Sequence, residues 1–198
     1  MMLFEQTQVP DAALPVTQFR AQLQLGTGFA DDGFQDPVLI PMLRAAMAAI
    51  EADTSKVLLE RSYKYVRTAW RDLARLALPV APVTRIESFT ITDIEGAETL
   101  IAPARYRLIE DGQRPEIVAT GWALPTIPVG GTAEVVFDAG FGPSWDAVPG
   151  DLAQAVLMLA AHYYDNRGAM TERGRPLPEG IARLVARHRV IRLFGGGA

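Results

Sequence analysis

Two histidines, His162 and His188, are the side chains in this sequence best suited to proton transfer near neutral pH. They stand 26 positions apart and show no H-E-x-x-H or comparable ligand spacing. His162 lies inside an apolar stretch, which fits a core or interface histidine better than a catalytic one. His188 sits in Arg187-His188-Arg189, at the expected end of a helix, where a cation gains from the dipole. Cysteine is absent, so this sequence offers no disulfide, thiolate metal site or cysteine nucleophile. The nucleophile elbow G-x-S-x-G is missing, and so is the phosphate loop G-x-x-x-x-G-K-[ST]. Gly26-Thr27-Gly28 gives a lone G-x-G with no strand before it and no third glycine. Asp31-Asp32 and Glu110-Asp111 stand beside glycines, as solvated turns do, with a weak cation site as the minor alternative. The residues therefore assign no catalytic, metal-binding or cofactor-binding position, and no cofactor is expected.

The elements that would carry these residues are clearer than the chemistry. Val148 to Gly168 is the organising stretch: Leu152, Val156, Leu159 and Tyr163 recur at helical spacing, and Leu157, Met158, Ala160, Ala161 and Tyr164 widen the apolar surface. Pro149 and Asp151 suit its start, and Arg167 and Gly168 its end. A second helix is expected from Asp36-Pro37 to about Asp53, with Pro41 pushing its true start toward Ile40. Its alanines at 45, 46, 48 and 49 make it thin and fit for close packing. A short helix is expected from a Thr17 cap to Leu25, and another after Leu177-Pro178 with Ile181, Leu184 and Val185 on one face.

Between these helices the period changes to that of strands. Segments at Val57–Trp70, Val83–Thr92, Thr99–Ile101, Tyr106–Ile109, Glu116–Ala119 and Thr132–Ala139 are expected, with turns at Asp93–Gly96 and Glu110–Gln113. Leu78-Pro79-Val80-Ala81-Pro82 reads as a rigid extended connector. The expected fold is α+β, mainly helical, with a small antiparallel β meander forming one sheet or partial barrel between the N-terminal and C-terminal helices. The expected organisation is an extended arm over 1–14, one domain over 15–189 (helices 15–54, β region 57–140, helices 149–189) and a tail over 190–198.

Composition agrees with an ordinary globular chain: 49% of the 198 residues are hydrophobic and 21% charged. A net charge of −4 gives no footprint of wholesale nucleic-acid binding. The opening MMLFEQTQVPDAAL lacks a basic region and is not expected to be a signal peptide, and no apolar run is long enough to span a membrane. The tail VIRLFGGGA is apolar and basic. Burying Val190, Ile191, Leu193 and Phe194 returns about 1.5–3 kcal/mol each. Ordering the tail's backbone costs about 1–2 kcal/mol per residue, so a partner surface is needed to fix it.

Several stretches, taken in order, resemble the head–tail connector (adaptor) family of tailed phages and gene transfer agents, and the gene transfer agent adaptor in particular. They are Thr17 to Leu25, Asp31-Asp32, and Leu43-Arg44-Ala45-Ala46 with Ile50-Glu51; then Leu78-Pro79-Val80-Ala81-Pro82-Val83-Thr84-Arg85-Ile86; then Asp93–Gly96 with Tyr106-Arg107-Leu108. Ala139-Gly140-Phe141-Gly142, Val148-Pro149, Tyr164-Asp165-Asn166-Arg167, and Leu177-Pro178 with Ile181, Leu184 and Arg189 complete the set, which spans about residues 15 to 190. The departures are Gly33-Phe34, the prolines at 37 and 41, and Arg187-His188-Arg189 where a more aromatic ending stands in the family.

The resemblance implies a structural protein and not an enzyme: a homo-oligomeric ring, commonly a dodecamer, in the virion neck of a phage-like particle assembled in the bacterial cytoplasm. The ring would lie between the portal protein and the stopper or tail protein and extend the channel for DNA packaging and ejection, through which double-stranded DNA passes without sequence-specific binding. Such a ring needs two different faces per subunit. The expected faces are Ala45, Ala46 and Ala49 on the alanine-rich helix, and Leu157, Ala161 and Tyr164 on the organising helix. The expected portal-binding residues are Arg187, Arg189, Val190, Ile191, Arg192, Leu193 and Phe194. No membrane contact is expected. A small enzyme using loop carboxylates, and a monomeric binding module, are the alternatives.

Overall fold

The computed structural model describes residues 2–24, 35–166 and 177–190. The chain divides into two compact units: a β unit of Met1–Gln8 and Leu59–Phe141, and a helical unit of Val9–Leu58 and Gly142–Ala198.

The β unit holds two antiparallel sheets among the described residues, where one was expected. The larger has five strands in the order β1 (Met2–Glu5), β2 (Arg61–Arg67), β8 (Thr132–Ala139), β4 (Val83–Thr92) and β5 (Glu98–Leu100). The smaller orders β3 (Arg75–Ala77), β7 (Glu116–Ala119) and β6 (Tyr106–Ile109). The arrangement is not a simple meander, because β8 inserts between β2 and β4. Alternation in β8 explains that position: Ala133, Val135 and Phe137 are buried while Thr132, Glu134 and Val136 keep partial exposure. Tyr65 and Phe89 flank Val135 in register on either side, so one face of the sheet is a continuous apolar layer. Phe89 makes edge contacts with Trp70 at 6.0 Å and Tyr106 at 5.4 Å, and Tyr63 stacks on Phe137 at 5.9 Å.

Turn chemistry fixes the register. Asp93 Oδ1 accepts from the Glu95 and Ala97 amides, and Gly96 takes φ +87° to close the β4–β5 hairpin. Gly140, at φ +141°, ends β8 where a Cβ would stand 2.5 Å from Glu60 Cα, so the backbones meet too closely for any side chain.

The helical unit contains α1 (Val16–Gln22), α2 (Asp36–Thr54), α3 (Gly150–Asp165) and α4 (Glu179–Val185). α1 begins after Pro15, not at a Thr17 cap, because a 3₁₀ turn over Asp11–Ala13 already turns the chain into it. α2 starts at Asp36 and runs through Pro41, the sixth residue, at the loss of one helix hydrogen bond that the buried Leu39, Leu43, Ala46, Met47 and Ile50 outweigh. Leu39, Leu43, Ala46, Met47 and Ile50 of α2 are buried, as are Leu152, Ala155, Val156, Leu159 and Ala160 of α3, which packs on α2 and on α4. α3 matches the organising stretch, and Arg167 and Gly168 lie outside the described residues. Strands make up about 27% and helices about 36%, so the fold is α+β but not mainly helical. Short strands joined by long loops hide this in the sequence.

Candidate functional site

The basic end of the chain is fastened to two helix termini. Asp151, in the first turn of α3, accepts from Arg187 Nε at 2.6 Å and His188 Nε2 at 2.7 Å through the same oxygen. Its other oxygen takes the Leu152 amide at 3.0 Å. Burial works against the Asp151 charge, but the hydrogen bonds from Arg187 and His188 outweigh it and hold the carboxyl below its ordinary pKa. The helix N-terminus adds a favourable field. At the other end of α2, Arg189 grips Asp53 with Nε–Oδ2 at 2.7 Å and Nη2–Oδ1 at 3.0 Å. That bond raises the guanidinium's hold on its proton and offsets a carboxylate placed at the unfavourable end of a helix. His188 is thus a hydrogen-bond partner of the Asp151 carboxylate and not a side chain standing free at a helix end.

Of the expected portal-binding residues, Arg187 and Arg189 are themselves part of this clamp, and Val190 follows it directly. Ile191, Arg192, Leu193 and Phe194 lie outside the described residues, as do Asp31 and Asp32. The six expected interface residues divide. Ala46 is fully buried inside the helical unit and Leu157 nearly so, which leaves no surface there for a second copy. Ala45, Ala49, Ala161 and Tyr164 keep partial exposure. Ala46 and Leu157 stand on helices enclosed by others of the unit: α2 packs on α3, and α3 on α2, α4 and α1.

His162 is exposed, with Nδ1 3.3 Å from the Asn166 side-chain nitrogen, so of the core and interface places expected for it the core is excluded. A recess of about 510 Å³ in the helical unit is lined by Leu14, Pro15, Val16, Pro143 and Trp145, with Asp146 its one ionisable lining group. That offers no acid–base pair. Among the described residues no group of three or more His, Asp or Glu is placed to hold a metal, and no helix is long and apolar enough to cross a membrane.

Sequence reading missed the exposed apolar residues of the β unit. Trp122 is wholly exposed, Val129, Ile94, Leu100 and Leu73 are largely so, and Met2 and Phe4 are about half exposed on β1. The signal was present in loop residues too bulky for plain turns, such as Trp122 in Thr-Gly-Trp-Ala.

No protein-family model and no curated protein matches this chain. Solved structures do. A chain in the neck of an empty GTA particle, computed with C6 symmetry, is 48% identical over 99% of both chains, with a TM-score of 0.89. A chain in the virion of a native gene transfer agent (GTA) particle is 48% identical over 99% of both, with a TM-score of 0.87. A chain in the neck of a native GTA particle, computed with C12 symmetry, is 43% identical over 99% of both, with a TM-score of 0.84.

Proposed function

This chain belongs to the head–tail connector family found in the necks of gene transfer agent particles, and from that premise we propose that it is the adaptor ring between portal and tail. It is a structural component of a phage-like particle. The observation that carries the reading is likeness over 99% of both chains to subunits of necks computed with C6 and C12 symmetry. A closed cyclic ring, most simply a dodecamer, follows if this chain assembles as they do.

In this reading the clamp sets the direction of the tail. Arg187, His188 and Arg189 are held on Asp151 and Asp53, and Val190 leaves from that fixed point toward the portal. Val190, Ile191, Leu193 and Phe194 would fill an apolar portal groove, with Arg192 on an acidic rim. Repetition around the ring would turn a weak contact into a firm one. Of the six expected interface residues, Ala45, Ala49, Ala161 and Tyr164 are those left with surface to offer a neighbouring subunit. The stopper or tail protein meets the opposite rim. DNA passes through the lumen without base-specific contact, in keeping with the acidic balance of the chain.

The test is co-expression with the cognate portal, followed by electron microscopy of the purified complex. A ring seated on the portal is expected. A chain that stays monomeric and does not join the portal would refute the reading.

A further inference from the structure

We propose that the five-stranded sheet continues from one subunit into the next, the open edge of β5 pairing with the open edge of β1 of a second copy. This rests on the ring reading above.

Among the described residues both strands are terminal in the sheet, and each pairs on one side only. The Gln6 amide donates to the Ser62 carbonyl at 2.8 Å, so antiparallel alternation turns the N–H and C=O of Leu3 and Glu5 toward the open side. Exposed edges are normally blunted by proline, lysine, a bulge or a covering loop. β1, with the sequence MLFE, has neither proline nor lysine, its one charge, Glu5, is engaged by Arg61 at 3.1 Å, and it pairs in unbroken register with β2. It shows Met2 at 53% and Phe4 at 47% exposure, and all of β5 is exposed, with Leu100 at 70%. Backbone groups and apolar side chains at both edges are therefore ready for a strand.

Cyclic symmetry selects the partner. Antiparallel pairing of β1 with β1 relates two copies by a two-fold axis and closes at a dimer, whereas a ring joins two different edges. β5 is the other edge of the same sheet. Strand directions alternate across five strands, so β1 and β5 run the same way and the junction is parallel.

Side-chain facing could have opposed this pairing, and it does not. One transverse row crosses the whole sheet in register: Met2, Val66, Glu134, Thr90, Leu100. It lies on the face away from the buried Tyr65, Val135 and Phe89. The row begins and ends on an exposed apolar residue. With subunits at one level it runs on from Leu100 to Met2 of the next copy, and the two side chains cover each other. A one-residue slip would set Leu100 on the opposite face from Met2.

The absence of cysteine makes a clean test possible. Met2→Cys and Leu100→Cys are introduced singly and together, and purified particles are treated with a short bis-maleimide. The double variant should give a ladder from dimer upward, and neither single variant should cross-link to itself. Three outcomes overturn the proposal: no ladder in particles whose neck ring is visible by electron microscopy, a dimer from Met2→Cys alone, or cross-links only to another protein. In each the ring reading survives. Particles of the unaltered protein that lack a ring refute that reading instead. Amide exchange on the unaltered chain gives a second measurement: Leu3 and Glu5 should exchange at least about tenfold more slowly in the particle than in the free subunit. Unchanged rates overturn the edge pairing.

Discussion

Leu39, Leu43, Ile50, Leu152 and Leu159 of the helical unit are sealed from solvent, and Val38 is its exposed large apolar residue among those described. The β unit seals Phe89, Phe137 and Ile117 just as completely, yet leaves Met2, Phe4, Leu73, Ile94, Leu100, Trp122 and Val129 outside. Its surplus is therefore not a failure to build a core. The helical unit spends its apolar side chains on its own stability and uses charge, at Asp151 and Asp53, to fix the basic end of the chain. The β unit leaves apolar surface exposed, which in the ring reading is what a neighbouring copy would cover. One unit anchors and the other offers edges and loops.

The sharpest test of that contrast sets two aromatic residues of the β unit against each other. Phe137→Ala removes a fully buried ring stacked on Tyr63 and should cost about 3–5 kcal/mol in denaturant unfolding of the free subunit. Trp122→Ala removes a larger side chain with no buried surface and should change stability by less than about 0.5 kcal/mol. Equal losses would break the distinction between core and exposed surface.

In the helical unit, Ala46→Leu should overpack the core around this fully buried residue and cost about 1–3 kcal/mol. An unchanged melting curve would show that the core is loosely packed there. This residue also shows what sequence could and could not reveal. The thinness of α2 was legible in its alanines, but not which alanine is buried and which faces out. Val83–Thr92, Glu116–Ala119 and Thr132–Ala139 were legible as strands to the residue, because β-branched and aromatic residues gather between turn formers. β1 was not: four residues without alternation carry no period, and their pairing with β2 is set 60 residues away. Asp151 was legible as a favourable charge at a helix start. Its clamp was not, because Arg187 and His188 reach it only after α4 folds back onto α3.

The clamp should contribute less than either core. Asp151→Asn keeps the shape and removes the charge that Arg187 and His188 share; discounted for the exposure of Arg187, the cost is about 1 kcal/mol. The pH dependence has a definite sign. A carboxyl with a lowered folded-state pKa stabilises above the ordinary carboxylate value and loses that contribution as pH falls through its folded value. The unaltered subunit should therefore lose stability on acidification through and below the usual carboxylate range, and Asp151→Asn should lose less over the same interval. Parallel pH curves would remove Asp151 from the account.

The smallest effect on stability is expected from ending the chain at Arg189. The ion pairs of Arg187 and His188 with Asp151, and of Arg189 with Asp53, all lie before the cut, and so do the buried Ile181 and Val185 that hold α4. The residues removed begin with Val190, the last described position, which keeps partial exposure. Among the described residues the cut removes only the half-buried Val190, so thermal unfolding of the free subunit should hardly move. The effect on assembly should be the reverse. If the clamp exists to aim Val190–Phe194 at a portal groove, the shortened subunit retains the aim and lacks the contact, and heads should accumulate without tails. Restoring the four apolar residues with Arg192→Ala would then separate apolar filling from charge: tails should return if burial dominates and stay absent if the acidic rim does. Particles that carry tails despite the cut would leave the clamp a purely internal fastening, and the contrast between an anchoring unit and an offering unit would rest on the β unit alone.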